Sequence, residues 1–343
     1  MSCLRSTARW IAFASVLFAL SPQLHAQDYH VVSRWTIGGE GGWDYLHMDA
    51  PAHRLYIAHG SQVDVVNTET GKRVGAVTGL KGTHGVVLDP DGRTGYISDG
   101  GANAIVVFDR HSLAVLASIP AGSNPDGIVY EPTTKTVWAF NGRSSSATVA
   151  DGKTRKVVAT ITLPGRPEFP VADGKGHVFA NIEDKSEIAE MDARTHAVLA
   201  VWPLAPGESP SGLAIDAAGD RLFSVCHNGK MVVMDSRNGK VLATPPIGTG
   251  PDAARYDAKH KLAFSSNGGD GTVTIVDAGK PGYPVLQTVT TEKGARTLAL
   301  DSVTGRIYLA TAKFGPPPTG AAAGQRWRRS IVPGSFTILV VGR

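Results

Sequence analysis

Cysteine is scarce here, and its scarcity excludes a good deal. The chain has two cysteines, Cys3 and Cys226. No Cys-x-x-Cys occurs, so zinc ribbons, thioredoxin-like redox centres and Cys-x-x-Cys-His haem attachment are all ruled out. Gly-x-Ser-x-Gly, His-Glu-x-x-His and a complete phosphate-binding loop are also missing. The 11 histidines do not cluster: His53 and His59 are six apart, and His84 and His111 fall in different turns. That scatter does not look like a dedicated zinc site. Charge of one sign is lacking too. The formal net charge of +4 drops to +2 without Arg5 and Arg9, the only charged residues among the first 26. A nearly neutral chain gives no reason to expect a nucleic-acid partner.

Long apolar runs are absent except at the start. Arg5 and Arg9 precede WIAFASVLFAL, which is too short to span a bilayer. Leu-His-Ala then precedes Gln27, ending in a small residue as a signal-peptidase site does. Residues 1–26 therefore read as a signal peptide cleaved near Ala26. Residues 27–343 read as one exported domain, periplasmic or secreted, monomeric and not membrane-spanning. Cys3 lies before the apolar core, so it is not a lipid-attachment cysteine. That leaves Cys226, in LFSVCHNG, expected as a buried structural thiol.

Glycine and proline are plentiful, at 40 and 21 residues, and they punctuate a repeat. Residues 83–122 hold four short runs: GVVL, GYIS, AIVVFD and VLASIP. Turns rich in Asp, Gly and Asn separate them, as expected of strands. An acidic marker ends the first run of each unit: Asp49, Asp89, Glu131, Asp173, Asp216, Asp257 and Asp301. The spacings are 40, 42, 42, 43, 41 and 44 residues. Seven residues after a marker stands an aromatic: Tyr56, Tyr96, Trp138, Phe223, Phe264 or Tyr308; Phe179 comes one place early after a shortened turn. A second polar marker closes the third run at Asn67, Asp109, Asp151, Asp192, Asp235 and Asp277.

Four strands every 40 to 45 residues predict propeller blades, and seven units predict an all-β, seven-bladed β-propeller with four antiparallel strands per blade. The Gly-His and Trp-Asp pairs of WD40 blades do not recur from unit to unit. The seventh unit stops after its third strand, FTILVVG. Val31–Gly38 resembles the other fourth strands and is expected to complete that blade from the N-terminus, removing an open edge.

GYISDGGANAIVVFDRHSLAVLASIPAGSNPDGIVYEP in units two and three resembles the YVTN family of propeller repeats. LFSVCHNGKMVVMDSRNGKVLATPPIGTGPDAARYD in units five and six does so again. From about Gly41 onward the chain is similar to YncE-like periplasmic proteins. The resemblance implies a WD40-like binding or interaction scaffold and carries no functional residues, because its motif consists of turn and core positions.

Five residues before each marker stand Asp44, His84, Asp126, Glu168, Ser211, Asp252 and Arg296. Pro125, Pro167, Pro210 and Pro251 directly precede four of them. At the entry to each innermost strand, these side chains are expected to ring one mouth of the central channel. Six are ionisable, so the ring focuses a field and can perturb pKa values. It reads either as a hydrated channel mouth or as a site for a cation such as Ca²⁺, a polyhydroxylated molecule or a basic peptide. Residues 315–334, GPPPTGAAAGQRWRRSIVPG, are inserted between the second and third strands of unit seven. This insertion reads as a linker or as a lid that brings Arg326, Trp327, Arg328 and Arg329 over the same face.

The leading expectation is a non-catalytic exported scaffold that binds a protein or small ligand at the channel mouth. Its rivals are a lactonase-type hydrolase with a metal at the channel carboxylates, and a subunit of a periplasmic redox complex.

Overall fold

Turn chemistry sets the strand pattern. In the computed structural model, which describes residues 28–316 and 330–343, the marker acids are turn residues. Glu131 accepts the backbone N–H groups of Thr133 and Thr134 at 3.0 and 2.7 Å. Asp257 accepts those of Lys259 and His260 at 2.9 and 3.1 Å. The second markers do likewise: Asp109 accepts His111 and Ser112, and Asp192 accepts Arg194 and Thr195. A short polar side chain that satisfies the amides two and three residues on fixes a tight reversal. The apolar runs between these reversals have no option but to pair as hairpins.

The result is seven four-stranded antiparallel sheets. Six are formed by consecutive strands, so that residues 43–77 make blade 1 and residues 251–290 make blade 6. Blade 7 runs Leu298–Leu300, Ile307–Thr311, Thr337–Gly342, and its outer strand is His30–Thr36. That strand pairs antiparallel with Thr337–Gly342, from His30 opposite Gly342 to Thr36 opposite Thr337. It starts one residue before the expected Val31 and stops two short of Gly38, because the chain turns at Gly38 and Gly39 with φ of 74° and 95°. The predicted signal peptide and Arg326, Trp327, Arg328 and Arg329 lie outside the described residues.

Seven apolar clusters fill the molecule, one between each pair of neighbouring blades. The aromatics of the second strands sit in them with almost no exposure: Tyr56, Tyr96, Trp138, Phe179, Phe223, Phe264 and Tyr308. Truncating one to alanine should cost about 3–5 kcal/mol. Cys226 is fully buried between blades 4 and 5, with Leu213 and Met234, and burial pushes its thiol up to about 11.

The outer strands carry a shared irregularity. Six of them break register at the same place, for example between Val107 and Phe108 and between Val149 and Ala150. The extra residue leaves two adjacent aliphatics exposed, as at Val115–Leu116 and Val157–Val158. A bulge at this position twists the edge and disfavours pairing with another sheet.

Two expectations follow. Removing residues 27–39 uncovers the edge of Thr337–Gly342 and should lower the unfolding midpoint by more than about 10 °C. A truncated chain that melts within about a degree of the intact one would contradict closure by the N-terminal strand. Cys226→Ser should cost about 1–2 kcal/mol by burying a hydroxyl, and the native thiol should label only on unfolding.

Candidate functional site

The ring side chains owe their position to a second set of bulges. In blades 1 to 6 the innermost strand loses register with its neighbour at the predicted ring position. The breaks fall between Trp43 and Leu46, Thr83 and Val86, Pro125 and Ile128, Pro167 and Pro170, Pro210 and Leu213, and Pro251 and Ala253. Asp44, His84, Asp126, Glu168, Ser211 and Asp252 all lie within these breaks. A bulge frees a residue from the ladder and re-aims its side chain, in this case toward the axis. Arg296 enters just ahead of the short inner strand of blade 7.

Six of the seven residues join in one chain of contacts around the mouth. Ser211 donates to Asp252 at 2.7 Å, and Asp252 pairs with the Arg296 guanidinium. Arg296 also donates to the Trp43 carbonyl at 2.6 Å and lies 3.6 Å from Asp44. Asp44 accepts from His84 Nδ1 at 2.7 Å, and the same nitrogen lies 3.6 Å from Asp126. Gly100 makes room for this imidazole, since a Cβ there would lie 2.7 Å from Cδ2 and Nε2. Glu168 stands apart. Among the described residues it has no ion pair; its carboxyl is hydrogen-bonded to that of Glu183, which pairs with Arg166.

Directly beneath the ring the channel is closed. Tyr45 of blade 1 meets Phe169 of blade 4 edge-on at 4.7 Å between centroids. The Arg255 guanidinium of blade 6 lies 4.8 Å over the same Phe169 ring and donates to the carbonyls of Ala254 and Leu46. Blades 1, 4 and 6 are not mutual neighbours except across the axis, so these contacts plug the bore. The mouth is a cup with an aromatic floor. Tyr45 is 4% exposed, and its hydroxyl makes no hydrogen bond among the described residues. The four ring carboxylates, Asp252, Glu168, Asp126 and Asp44, all bear on that hydroxyl.

A cavity of about 910 Å³ opens beside the cup over blades 7, 1 and 2. Asp44, His84 and Arg296 form its polar side, and Trp43, Phe314 and Ile331 its apolar side. Phe314 and Ile331 bridge each other in the stem of the blade 7 insertion, so the stem stands on the ring face, as the topology predicted. The indole N–H of Trp43 is buried without a partner among the described residues. Asp126, Glu168, Ser211 and Asp252 are not in this lining.

No protein-family model and no curated protein matches the chain. Solved structures do. RRP9 WD40 repeats superpose with a TM-score of 0.75 at 11% identity, covering 92% of this chain and 97% of that one. U3-55K gives 0.74 at 12% identity, with coverages of 92% and 98%. Kuenenia stuttgartiensis hydrazine synthase gives 0.72 at 18% identity, with coverages of 80% and 93%. The molecule is a seven-bladed β-propeller. At these identities the likeness is one of fold alone.

Sequence reasoning placed the ring but not the floor. Tyr45 and Phe169 follow Asp44 and Glu168 directly; the other units have Gly85, Gly127, Gly212, Ala253 and Thr297 at that register. Two aromatics among small residues were the available signal. The small residues are themselves required, since a Cβ on Gly127 would lie 2.5 Å from the Glu168 carbonyl oxygen.

Burial and crowding set the protonation of the cup. Burial opposes charge on His84, but the Asp44 hydrogen bond and the negative charges of Asp126 and Asp44 outweigh it and raise its pKa to about 9. Burial, then the Asp44 charge, raises Asp126 to about 7. Burial, then the Asp126 charge and the bond to Glu183, raises Glu168 to about 10. Arg296 stays cationic because the charges of Asp252 and Asp44 outweigh its burial. Ligand atoms of Asp44, His84 and Asp126 lie within 4.8 Å of one another. One nitrogen and two carboxylates suit a transition metal better than Ca²⁺, and the nitrogen would first have to give up the proton it donates to Asp44.

These shifts predict a pH dependence. A folded-state pKa raised above the unfolded value gives stability that is present below the unfolded pKa and lost as pH rises through the folded one. His84, facing Asp44, Asp126 and Arg296, should therefore lose its contribution between pH 6.5 and 9; Asp126 acts in the same direction up to about pH 7 and Glu168 up to about pH 10. Urea unfolding at pH 6.5 and 9.5 should show a fall on the order of 2 kcal/mol, reduced in His84→Gln. A stability independent of pH over this range would contradict the network.

Proposed function

We propose that this chain is an exported propeller of the YVTN-repeat, YncE-like kind, acting as a non-catalytic scaffold. In this reading it takes a small ligand, or a segment of a partner protein, into the cavity at the ring face. The observation that carries the reading is the 910 Å³ cavity, walled by Trp43, Phe314 and Ile331 on one side and by Asp44, His84 and Arg296 on the other. Its size falls in the range of small-molecule sites, and mixed apolar and polar walls are what such sites present. The unpartnered indole N–H of Trp43 supplies a donor for a ligand acceptor.

A binding role is favoured because five of the six ionisable ring groups, all but Glu168, engage one another. Ser211 donates to Asp252, whose negative charge is held by the Arg296 guanidinium and so is a poor base for activating it. One specific feature supports the hydrolase reading instead: the convergence of Asp44, His84 and Asp126 on a point where a metal would fit. Metal analysis and lactone turnover separate the two. Stoichiometric metal together with hydrolysis would overturn the scaffold reading.

The test uses the full chain expressed with its own leader and analysed by native mass spectrometry. The expected mature protein begins at Gln27 and carries a co-purifying ligand. Phe314→Ala with Ile331→Asp should reduce ligand retention by about tenfold while shifting the melting temperature little, since both residues are only partly buried. Full retention in that variant would place the binding site elsewhere. Replacing residues 317–329 by a short Gly/Ser linker tests the lid, and equal affinity in that variant would reduce the insertion to a linker.

A further inference from the structure

We propose that the cup takes an organic ammonium group, seated between Asp126 and Glu168 above the Tyr45 hydroxyl, with the apolar body of the ligand in the adjoining cavity. The inference rests on the cavity reading above and specifies its ligand class.

Charge is unevenly compensated around the ring. Blades 6, 7, 1 and 2 contain their own compensation. Asp252 is held by Arg296 and Ser211, and Asp44 by His84 with Arg296 nearby. Blades 3 and 4 do not. Asp126 has a cation only at 3.6 Å, and that cation is bonded more closely to Asp44. Glu168 faces another carboxyl. Two neighbouring carboxyls therefore share one side of a closed cup without a cation of their own. The resident cations do not supply one: His84 and Arg296 are fixed by bonds within the other half of the ring, and Arg255 in the floor is held by the carbonyls of Ala254 and Leu46.

A second observation points to a ligand independently. The Tyr45 side chain is 4% exposed, yet its hydroxyl is unpartnered among the described residues and subject to all four ring carboxylates. An ammonium has three N–H donors and no acceptor. Two carboxylates and one phenol oxygen are three acceptors of the right sign. The aromatic floor of Tyr45 and Phe169 adds a surface that tolerates an organic cation. Trp43, Phe314 and Ile331 then face the remainder of the molecule.

The probe is n-hexylamine, cationic at both pH 6 and pH 8, with 1-hexanol as its uncharged isostere and ZnCl₂ and CaCl₂ as the metal arm. Calorimetric titration of the mature protein at pH 8 should detect hexylamine and give at least tenfold weaker binding of hexanol. Affinity should fall at pH 6, because binding displaces protons from Asp126 and Glu168. Glu168→Gln and Asp126→Asn, both isosteric, should each weaken hexylamine by about tenfold. A melting temperature no lower than that of the parent would show that the fold is intact. Tyr45→Phe should weaken hexylamine less and leave hexanol unchanged. Equal binding of hexanol and hexylamine would overturn the ammonium inference and keep the cavity. Binding of a metal but not hexylamine would overturn it in favour of a metal site. Absence of binding by both hexyl probes would overturn it and count against the cavity reading too.

Discussion

Each blade is a sheet with two apolar faces, and this controls the rest of the molecule. A half-buried sheet can leave one face in water; these cannot, because the second strands are buried residue after residue. Ile57, Ile97, Ala139 and Ala180 are fully covered, and so are the aromatics beside them. Every blade therefore needs a neighbour on both sides, and the only arrangement without an unsatisfied end is a closed ring. Closure needs one strand from outside the seventh unit, and His30–Thr36 provides it. The geometry of the cup follows: seven inner strands converge because seven interfaces must all be filled.

Convergence brings seven strand entries close together, and the inner bulges determine what points inward there. Uncompensated carboxyls in such a place oppose folding through desolvation and mutual repulsion. The structure relieves part of this strain with a relay from Ser211 to Asp126 that uses His84 and Arg296 as its two cations. The remaining part falls on Asp126 and Glu168, whose pKa values burial and neighbouring acids raise. A hydrated mouth with no further role would not need an acid at these two positions, since Ser211 fills the same register in blade 5 without charge.

The repeat made the fold legible because its signals are local. Glu131 caps its own turn, and Trp138 is buried seven residues later; both facts can be read from a short stretch and then checked in six others. The ring was legible for the same reason, being one register of a periodic chain. The floor was harder to see, because Tyr45, Phe169 and Arg255 meet across the axis at separations that no repeat period encodes. Nor could spacing show which ring acids are compensated. Arg296 bonds Asp252 and leaves Glu168 alone through side-chain reach, which depends on the direction in which each bulge turns its residue.

Similar residues thus do two jobs in this chain, and position alone separates them. Glu131 and Glu168 are both glutamates on innermost strands. Glu131 stands at the far end of its strand, where two threonine amides and hydroxyls satisfy it and draw its pKa down despite burial. Glu168 stands at the entry, on a bulge, where burial and neighbouring acids push its pKa up. Hydrogen bonding to the charged form stabilises the first, whereas burial and the acids Asp126, Glu183 and Asp252 oppose the charged form of the second. By this criterion Glu131 and Asp173 are accounted for by folding alone. Asp126 and Glu168 are not: burial and the acids around them oppose their charge more than the resident cations favour it.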